Sequence, residues 1–141
     1  MKEKDIQNIM GPILLKKQNM VFPNTKAIHK RFESDLVRVN SDGRVWEYEI
    51  KTSYSDFKAD FKKVRKHISL KAGETGVNYF YYLCPYGVIP LCDVAAPYGL
   101  IYIKGFDLHC VKRAKLLHSR SIDIKTKDRL TRSLGFKVFK S

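Results

Sequence analysis

Acidic residues are scarce in this chain of 141 residues, which has 14 Asp and Glu against 27 Lys and Arg and a formal net charge of +13. So basic a composition favours a polyanionic partner, and nucleic acid is preferred over a generic basic surface. Long apolar runs are also lacking, and the first residues carry charges where a signal peptide needs an apolar segment. We expect a soluble, intracellular, cytoplasmic protein with no membrane association.

Cysteine is sparse as well. Its three copies, Cys84, Cys92 and Cys110, show no CxxC spacing, and the odd number does not suit a disulfide framework. The four histidines have no mutual spacing typical of a metal site. The chain also lacks a Gly-rich phosphate loop and a nucleophile elbow. These absences exclude structural zinc, P-loop and serine-hydrolase chemistry, and predict three reduced thiols.

The patterns that are present predict one α/β domain over residues 1–141, with an N-terminal helix within 1–20 and a core over 33–135. Residues 21–32 are basic and irregular, with a turn at Pro23-Asn24. We expect a mixed central β-sheet flanked by helices. Helices are predicted over 3–18, 53–68 and 121–134, and strands over 34–40, 44–52, 78–85, 99–103 and 107–112.

The helix predicted over 53–68 has Phe57, Phe61, Val64 and Ile68 at helical spacing, so these four are expected to face the core. In the aromatic run that follows it, alternate side chains are expected to be buried in the core rather than to stack on bases.

Polar residues of the same helix divide into two groups. Ser53 and Asp56 have the spacing of a capping box, which predicts a helix start near Tyr54. Asp60 lies one turn later on a polar stripe with Lys63, and two interpretations remain open for it: a solvated ion pair, or a residue lining a catalytic cleft. We treat Ser53, Asp56 and Asp60 as candidates for lining a site, because the helix begins directly after the strand ending at Lys51.

That strand carries the segment EYEIK, in which alternation places Glu47, Glu49 and Lys51 on one face. The preceding turn fits a three-residue loop closed by Gly43, which places Asp35 directly opposite Glu49. A two-residue Asp-Gly loop would instead turn Asp35 to the other face. Glu47 lies beyond this group and is expected to be solvated.

Carboxylates opposed across two strands repel each other, and a divalent cation between them removes that cost. Hard carboxylate oxygens suit Mg²⁺ or Mn²⁺. Such an ion polarises a phosphate and activates a water, and the nearby Lys51 would stabilise developing charge. Asp35, Glu49 and Lys51 therefore predict metal-assisted phosphodiester hydrolysis.

Asp35, thirteen intervening residues and then Glu49-Ile50-Lys51 resemble the motif of the PD-(D/E)XK nuclease superfamily. The closest resemblance is to the MmcB-like DNA-repair family, in which a helix of the form S-x-x-D-F-x-x-D-x-K follows. That pattern reads here as Ser53, Asp56, Phe57, Asp60 and Lys62. The resemblance implies a restriction-endonuclease-like core and a DNA-repair nuclease in which Asp35 and Glu49 bind Mg²⁺ or Mn²⁺ and Lys51 is catalytic.

The sequence departs from the superfamily pattern at two places. Ser34 stands where the superfamily usually has proline before the first Asp. Many members also carry a Glu on the first helix as an outer metal ligand, and Glu3 and Glu33 are the two alternatives for that position here.

Five basic residues of the helix are expected to contact DNA phosphates rather than only water. They are Lys58, Lys62, Lys63, Arg65 and Lys66. Two functions follow from these features: a metal-dependent DNA nuclease, or a non-catalytic nucleic-acid-binding module with a vestigial nuclease fold. A domain of this size has little room for specificity elements, so a homodimer or a larger repair complex is expected to supply them.

Overall fold

The computed structural model describes residues 1–15 and 19–140 of the chain. Within these ranges the elements follow the order helix, three strands, two helices, three strands and helix, with a short 3₁₀ turn at Leu91–Asp93. They are α1 (Glu3–Leu14), β1 (Met20–Thr25), β2 (Ser34–Val39), β3 (Val45–Ile50), α2 (Tyr54–Asp60), α3 (Val64–Lys71), β4 (Tyr79–Pro85), β5 (Gly99–Lys104), β6 (Asp107–Lys112) and α4 (Ile124–Lys140).

The strands form one six-stranded sheet whose spatial order is the same as their order in the chain. β1, β2 and β3 are antiparallel neighbours, β3, β4 and β5 run parallel, and β6 pairs antiparallel with β5. The predicted α/β fold with a mixed central sheet is therefore confirmed. None of the helices in the described ranges is both long and apolar enough to cross a lipid bilayer.

Both faces of the sheet are covered by helices. On one face, Ile6 and Met10 of α1 pack in a cluster with Tyr48 and Ile50 of β3. The other face packs against α2 and α3 through clusters that contain Phe57 and Leu70, and against α4 through Leu130. Because side chains alternate along β3, the face that carries Glu47 and Glu49 is the one covered by α2 and α3.

The prediction that residues 21–32 are irregular is wrong for the first part of this range, because β1 begins at Met20 and runs through Pro23. Proline lacks the N–H of a ladder bond, but β1 lies at the edge of the sheet and pairs only with β2. The N-terminal helix ends at Leu14. The predicted continuation of that helix over residues 16–18 lies outside the described residues.

The single helix predicted over 53–68 is also wrong. The structure contains two shorter helices, α2 ending at Asp60 and α3 beginning at Val64. The break rotates the second part, so Val64 and Ile68 are exposed and Lys66, His67 and Leu70 face the interior. Phe61, at the break, is exposed as well, and of the four predicted core residues only Phe57 is buried.

The last helix begins at Ile124 rather than after Ser121, because Asp123 Oδ1 accepts a hydrogen bond of 2.6 Å from the Thr126 N–H. It continues to Lys140, beyond the predicted end at residue 134. The aromatic strand β4 has the predicted alternation, with Phe80 and Tyr82 fully buried.

Candidate active site

The hairpin between β2 and β3 has the predicted three-residue turn. Asn40 N–H donates to Arg44 O at 3.0 Å, and Gly43 has a φ of +79°, the left-handed conformation that such a turn requires. The register pairs Leu36 with Tyr48, so Asp35 and Glu49 are the next opposed pair. Alternation along the strands then predicts one face for both side chains, and the Glu49 carboxylate is near enough to raise the pKa of Asp35.

Asp35 occupies a partly buried position at the start of β2, where one of its oxygens accepts a hydrogen bond of 2.8 Å from the Ile50 N–H. Burial and the neighbouring Glu49 carboxylate raise the pKa of Asp35 to about 9. Glu3, the first residue of α1, adds to this rise in pKa, whereas Glu33 is exposed. Of the two alternatives for an outer acidic residue, Glu3 is therefore the one that lies beside Asp35.

Lys51 follows β3 and places its ammonium between two carboxylates. Its Nζ lies 3.4 Å from Glu49 Oε1 and 3.6 Å from Asp60 Oδ1, and its side chain is 12% exposed. Burial raises the pKa of Glu49, with opposing effects from neighbouring charges of both signs. The structure thus brings Glu49, Lys51 and Asp60 together, and Asp35 lies close enough to Glu49 for the two carboxylates to affect each other's charge.

Two further lysines surround the same carboxylates. Lys63 Nζ lies 3.8 Å from Glu49 Oε1 and 3.5 Å from Asp60 Oδ1. Lys66 Nζ lies 3.5 Å from Glu49 Oε2 and 3.4 Å from Asp60 Oδ1, and its side chain is 0% exposed. Burial alone would lower the pKa of Lys66, but the nearby carboxylates raise it, so this lysine is charged.

This position corrects the expectation that Lys66 contacts DNA phosphates, because its ammonium is enclosed between Glu49 and Asp60. The same rotation of α3 turns Lys63 partly inward, where 35% of its side chain remains exposed. Lys58, Lys62 and Arg65 are on the surface, as the basic-helix prediction requires.

Asp60 is the last residue of α2 and is buried in a polar network, which excludes the solvated ion pair as its role. Its Oδ2 accepts a hydrogen bond of 2.7 Å from the Tyr82 hydroxyl and lies 3.0 Å from His67 Nε2. His67 Nδ1 in turn lies 2.6 Å from the Tyr98 hydroxyl oxygen. Burial alone would raise the pKa of Asp60, but His67 and Lys66 hold it well below its usual range.

Glu47 is not the solvated neighbour that its position beyond the triad suggested. It is fully buried, and its Oε1 lies 2.6 Å from His29 Nε2. Burial alone would raise the pKa of Glu47, but His29 and Lys66 lower it, so the carboxylate is charged. A buried charge requires such partners, and here they come from the loop before β2 and from α3.

The remaining candidates lie at the rim. Ser53 caps α2, and its hydroxyl oxygen accepts a hydrogen bond of 3.2 Å from the Asp56 N–H, as the capping box predicted. Asp56 itself is exposed and lies 3.5 Å from the Thr52 hydroxyl. These residues form the start of the helix that carries Asp60 into the site.

The acidic residues suit a hard divalent cation only as a partial ligand set. Among the described residues, no group of three or more His, Cys, Asp or Glu side chains is arranged to hold a metal ion. Two carboxylates with water and phosphate oxygens are, however, a common way in which proteins hold Mg²⁺. The buried Glu49 Oε2 makes no hydrogen bond among these residues, although Lys66 Nζ lies 3.5 Å from it. Glu49 and the neighbouring Asp35 are hard oxygen donors that fit such an ion, which would share Glu49 with Lys66.

Sequence reasoning left His29, His67 and Tyr98 out of the site. A lone histidine carries little signal, and these three depend on contacts between distant parts of the chain. The one local signal was the i, i+7 spacing of Asp60 and His67, which places both on the polar stripe of the predicted straight helix. For that stripe, a solvated face and the lining of a catalytic cleft were both open.

No protein-family model matches the chain, and no curated protein matches it in sequence. In structure the chain is similar to a protein of unknown function from Silicibacter pomeroyi. The two superpose with a TM-score of 0.72 at 14% sequence identity, over 98% of this chain and 90% of the other. At this identity the likeness concerns the fold alone.

Proposed function

We propose that this protein is a metal-dependent DNA nuclease that hydrolyses phosphodiester bonds. The observation that carries the proposal is the position of Lys51 Nζ, 3.4 Å from Glu49, beside an Asp35 carboxyl whose pKa Glu49 raises. The exposed basic residues at the rim and the net charge of +13 support DNA as the partner. The resemblance to PD-(D/E)XK nucleases and to the MmcB-like family supports a role in DNA repair.

Asp35 and Glu49 would hold Mg²⁺ or Mn²⁺, which supplies a polarised phosphate and an activated water when bound. Lys51 is positioned to donate a hydrogen bond to the phosphate as negative charge develops on it. Asp60 accepts the second contact of Lys51 and thereby fixes the direction of its ammonium. Lys63 is the other lysine of the site with an accessible side chain, and it is available to a phosphate oxygen.

A second function is favoured by one specific observation. Lys51, Lys63 and Lys66 all place their ammonium groups within 3.8 Å of Glu49. These three cations already compensate the charge of the carboxylates without a metal ion. A DNA-binding module that keeps the nuclease fold but has no turnover is therefore the alternative.

Cleavage of supercoiled plasmid and labelled oligonucleotides with Mn²⁺, Mg²⁺ or EDTA separates the two functions. We expect nicking with either metal, none with EDTA, and a loss of about 100-fold or more in Glu49→Gln and Lys51→Met. Lys127→Met, which removes an exposed lysine of α4 outside the site and outside the basic helix, is the matched control and should retain most activity.

Cleavage that persists in both site variants would contradict the assignment of the site. Binding of DNA by the wild-type protein without cleavage under any metal condition would favour the non-catalytic module.

A further inference from the structure

A cavity of about 290 Å³ lies beside the candidate active site, between α3 and the loop that precedes β2. Its lining includes His29, Arg31 and Phe32 from the loop and Arg65 and Lys66 from α3. Arg31 and Arg65 are exposed, and Phe32 is half-buried. The cavity therefore combines two guanidinium groups with one aromatic ring, and the reaction proposed above does not use it.

Two lysines connect this cavity to the site. Lys66 lines the cavity and reaches Glu49 Oε2 at 3.5 Å. Lys63 Nζ lies 5.8 Å from the centre of the Phe32 ring and 3.8 Å from Glu49 Oε1. A chain of nucleotides with one phosphate at Glu49 would thus have Phe32 within its reach.

The loop is held in place by the strand that carries the site. His29 contacts the buried Glu47 of β3 at 2.6 Å, and the next residue, Lys30, has a φ of +58°. A left-handed conformation at a residue with a side chain is strained. Here the neighbours of Lys30 are held in place, because His29 contacts Glu47 and the Arg31 N–H donates to His29 O. This geometry turns His29 inward and leaves Arg31 on the surface.

The chemistry of the lining fits one nucleotide. Guanidinium groups bind phosphate through paired hydrogen bonds, and an aromatic ring stacks against a base of any type. Glu74, the acidic residue of the lining, offers an acceptor for a base amino group. In an intact duplex, however, the base faces are stacked on each other, so only an unpaired nucleotide presents a face to Phe32.

We propose that this cavity binds one unpaired nucleotide of a DNA strand next to the scissile phosphate, with its base against Phe32 and its phosphate at Arg31 and Arg65. This inference rests on the proposed nuclease function and narrows it to DNA that is single-stranded, frayed or locally unpaired at the point of cleavage.

The test measures binding in EDTA, where no cleavage occurs, by fluorescence anisotropy with a labelled single strand and with the same sequence as a blunt duplex. Phe32→Ala should weaken binding of the single strand about tenfold or more and change duplex binding by less than about twofold. Phe32→Leu preserves the apolar packing without the ring and should show the same selective loss. Phe32→Tyr should bind within about threefold of the wild type.

Phe106 supplies the matched control, because its side chain is 81% exposed on the turn between β5 and β6. Phe106→Ala should leave both affinities unchanged. An equal loss for single strand and duplex in the Phe32 variants, no loss, or the same loss in Phe106→Ala would overturn the proposal.

The same oligonucleotides incubated with Mn²⁺ distinguish this inference from the function on which it rests. If single-strand binding depends selectively on Phe32 but no cleavage occurs, the nucleotide pocket is supported and the nuclease function is contradicted. If the protein cleaves DNA but single-strand binding does not depend on Phe32, the nuclease function is supported and the nucleotide pocket is contradicted.

Discussion

Lys51 Nζ lies 3.6 Å from Asp60 Oδ1, so the residue that follows β3 is held by the carboxylate that ends α2. The helix begins only three residues after Lys51, and the two groups therefore belong to one short segment of chain. Asp60 also accepts a hydrogen bond from the Tyr82 hydroxyl, and it contacts the ammonium groups of Lys63 and Lys66. It is the most connected charge of the site.

Asp60→Asn keeps the shape of this side chain and removes its charge. We expect the variant to lose about 3 kcal/mol of unfolding free energy at pH 7, because Lys51 and Lys63 would then have Glu49 as their one remaining carboxylate in the site and would share it with Lys66. DNA cleavage should also fall, since Lys51 loses the group that orients it. Urea denaturation and the plasmid assay measure the two effects.

Asp56→Asn is the matched control for that change, because Asp56 lies on the same helix and is exposed. Its cost should stay below about 1 kcal/mol, the size of a charge effect at a helix start. Equal destabilisation by the two substitutions would contradict the central position of Asp60.

Lys66→Met tests the buried cation. Its removal takes away the buried cation shared by Glu47, Glu49 and Asp60 and leaves the partly exposed Lys51 and Lys63 at Glu49 and Asp60, so we expect a loss of about 3 kcal/mol at pH 8. The loss should be smaller at pH 5. Without Lys66 the pKa values of these carboxylates rise in the folded state, and their protonation at lower pH then relieves the repulsion.

Unfolding in urea at the two pH values gives the comparison, with Lys62→Met as the exposed control. A cost in Lys66→Met that does not depend on pH would mean that the lysine contributes mainly through packing of its methylene groups.

Asp35→Asn separates the stability of the fold from the activity of the site. The pKa of Asp35 is raised to about 9 in the folded protein, so the folded state holds a proton there that the unfolded state releases above about pH 4. Stability of the wild type in EDTA should therefore fall as pH rises from about 4 towards 9. Asparagine mimics the protonated acid and lacks this dependence.

We expect Asp35→Asn to be more stable than the wild type by roughly 1–3 kcal/mol at pH 8, with little difference at pH 4, while cleavage is lost. Thermal unfolding at a series of pH values in EDTA measures it. A variant that is less stable than the wild type at pH 8 would show that Asp35 is charged in the folded protein.

Much of the site was predictable because its central relationships are local. The turn residues set the register of the hairpin, and that register, continued one position beyond Leu36 and Tyr48, places Asp35 opposite Glu49. The environment of Glu47 was not predictable, because its partner His29 belongs to an irregular loop with no periodic signal. The break between α2 and α3 after Asp60 was also missed. Apolar residues continue at helical spacing across this break, so the sequence pattern predicted one uninterrupted helix.

Gly43→Ala tests the turn on which the opposed pair depends. Gly43 has a φ of +79°, and a Cβ there would lie 3.1 Å from Ser121 Cβ. Gly87 is the matched control, with a φ of +78° and nothing within 4 Å of its added Cβ. Gly87→Ala should lose about 1 kcal/mol from the left-handed conformation alone, and Gly43→Ala about 2 kcal/mol from conformation and contact together.

The turn at Gly43 also fixes which face of the sheet Asp35 occupies, whereas Gly87 lies beyond β4 and takes no part in the hairpin. At a temperature where both variants are folded, cleavage should therefore fall in Gly43→Ala and remain near the wild-type rate in Gly87→Ala. Urea denaturation and the plasmid assay on both proteins provide the comparison. Equal activity of the two would show that the opposition of Asp35 and Glu49 does not depend on this turn.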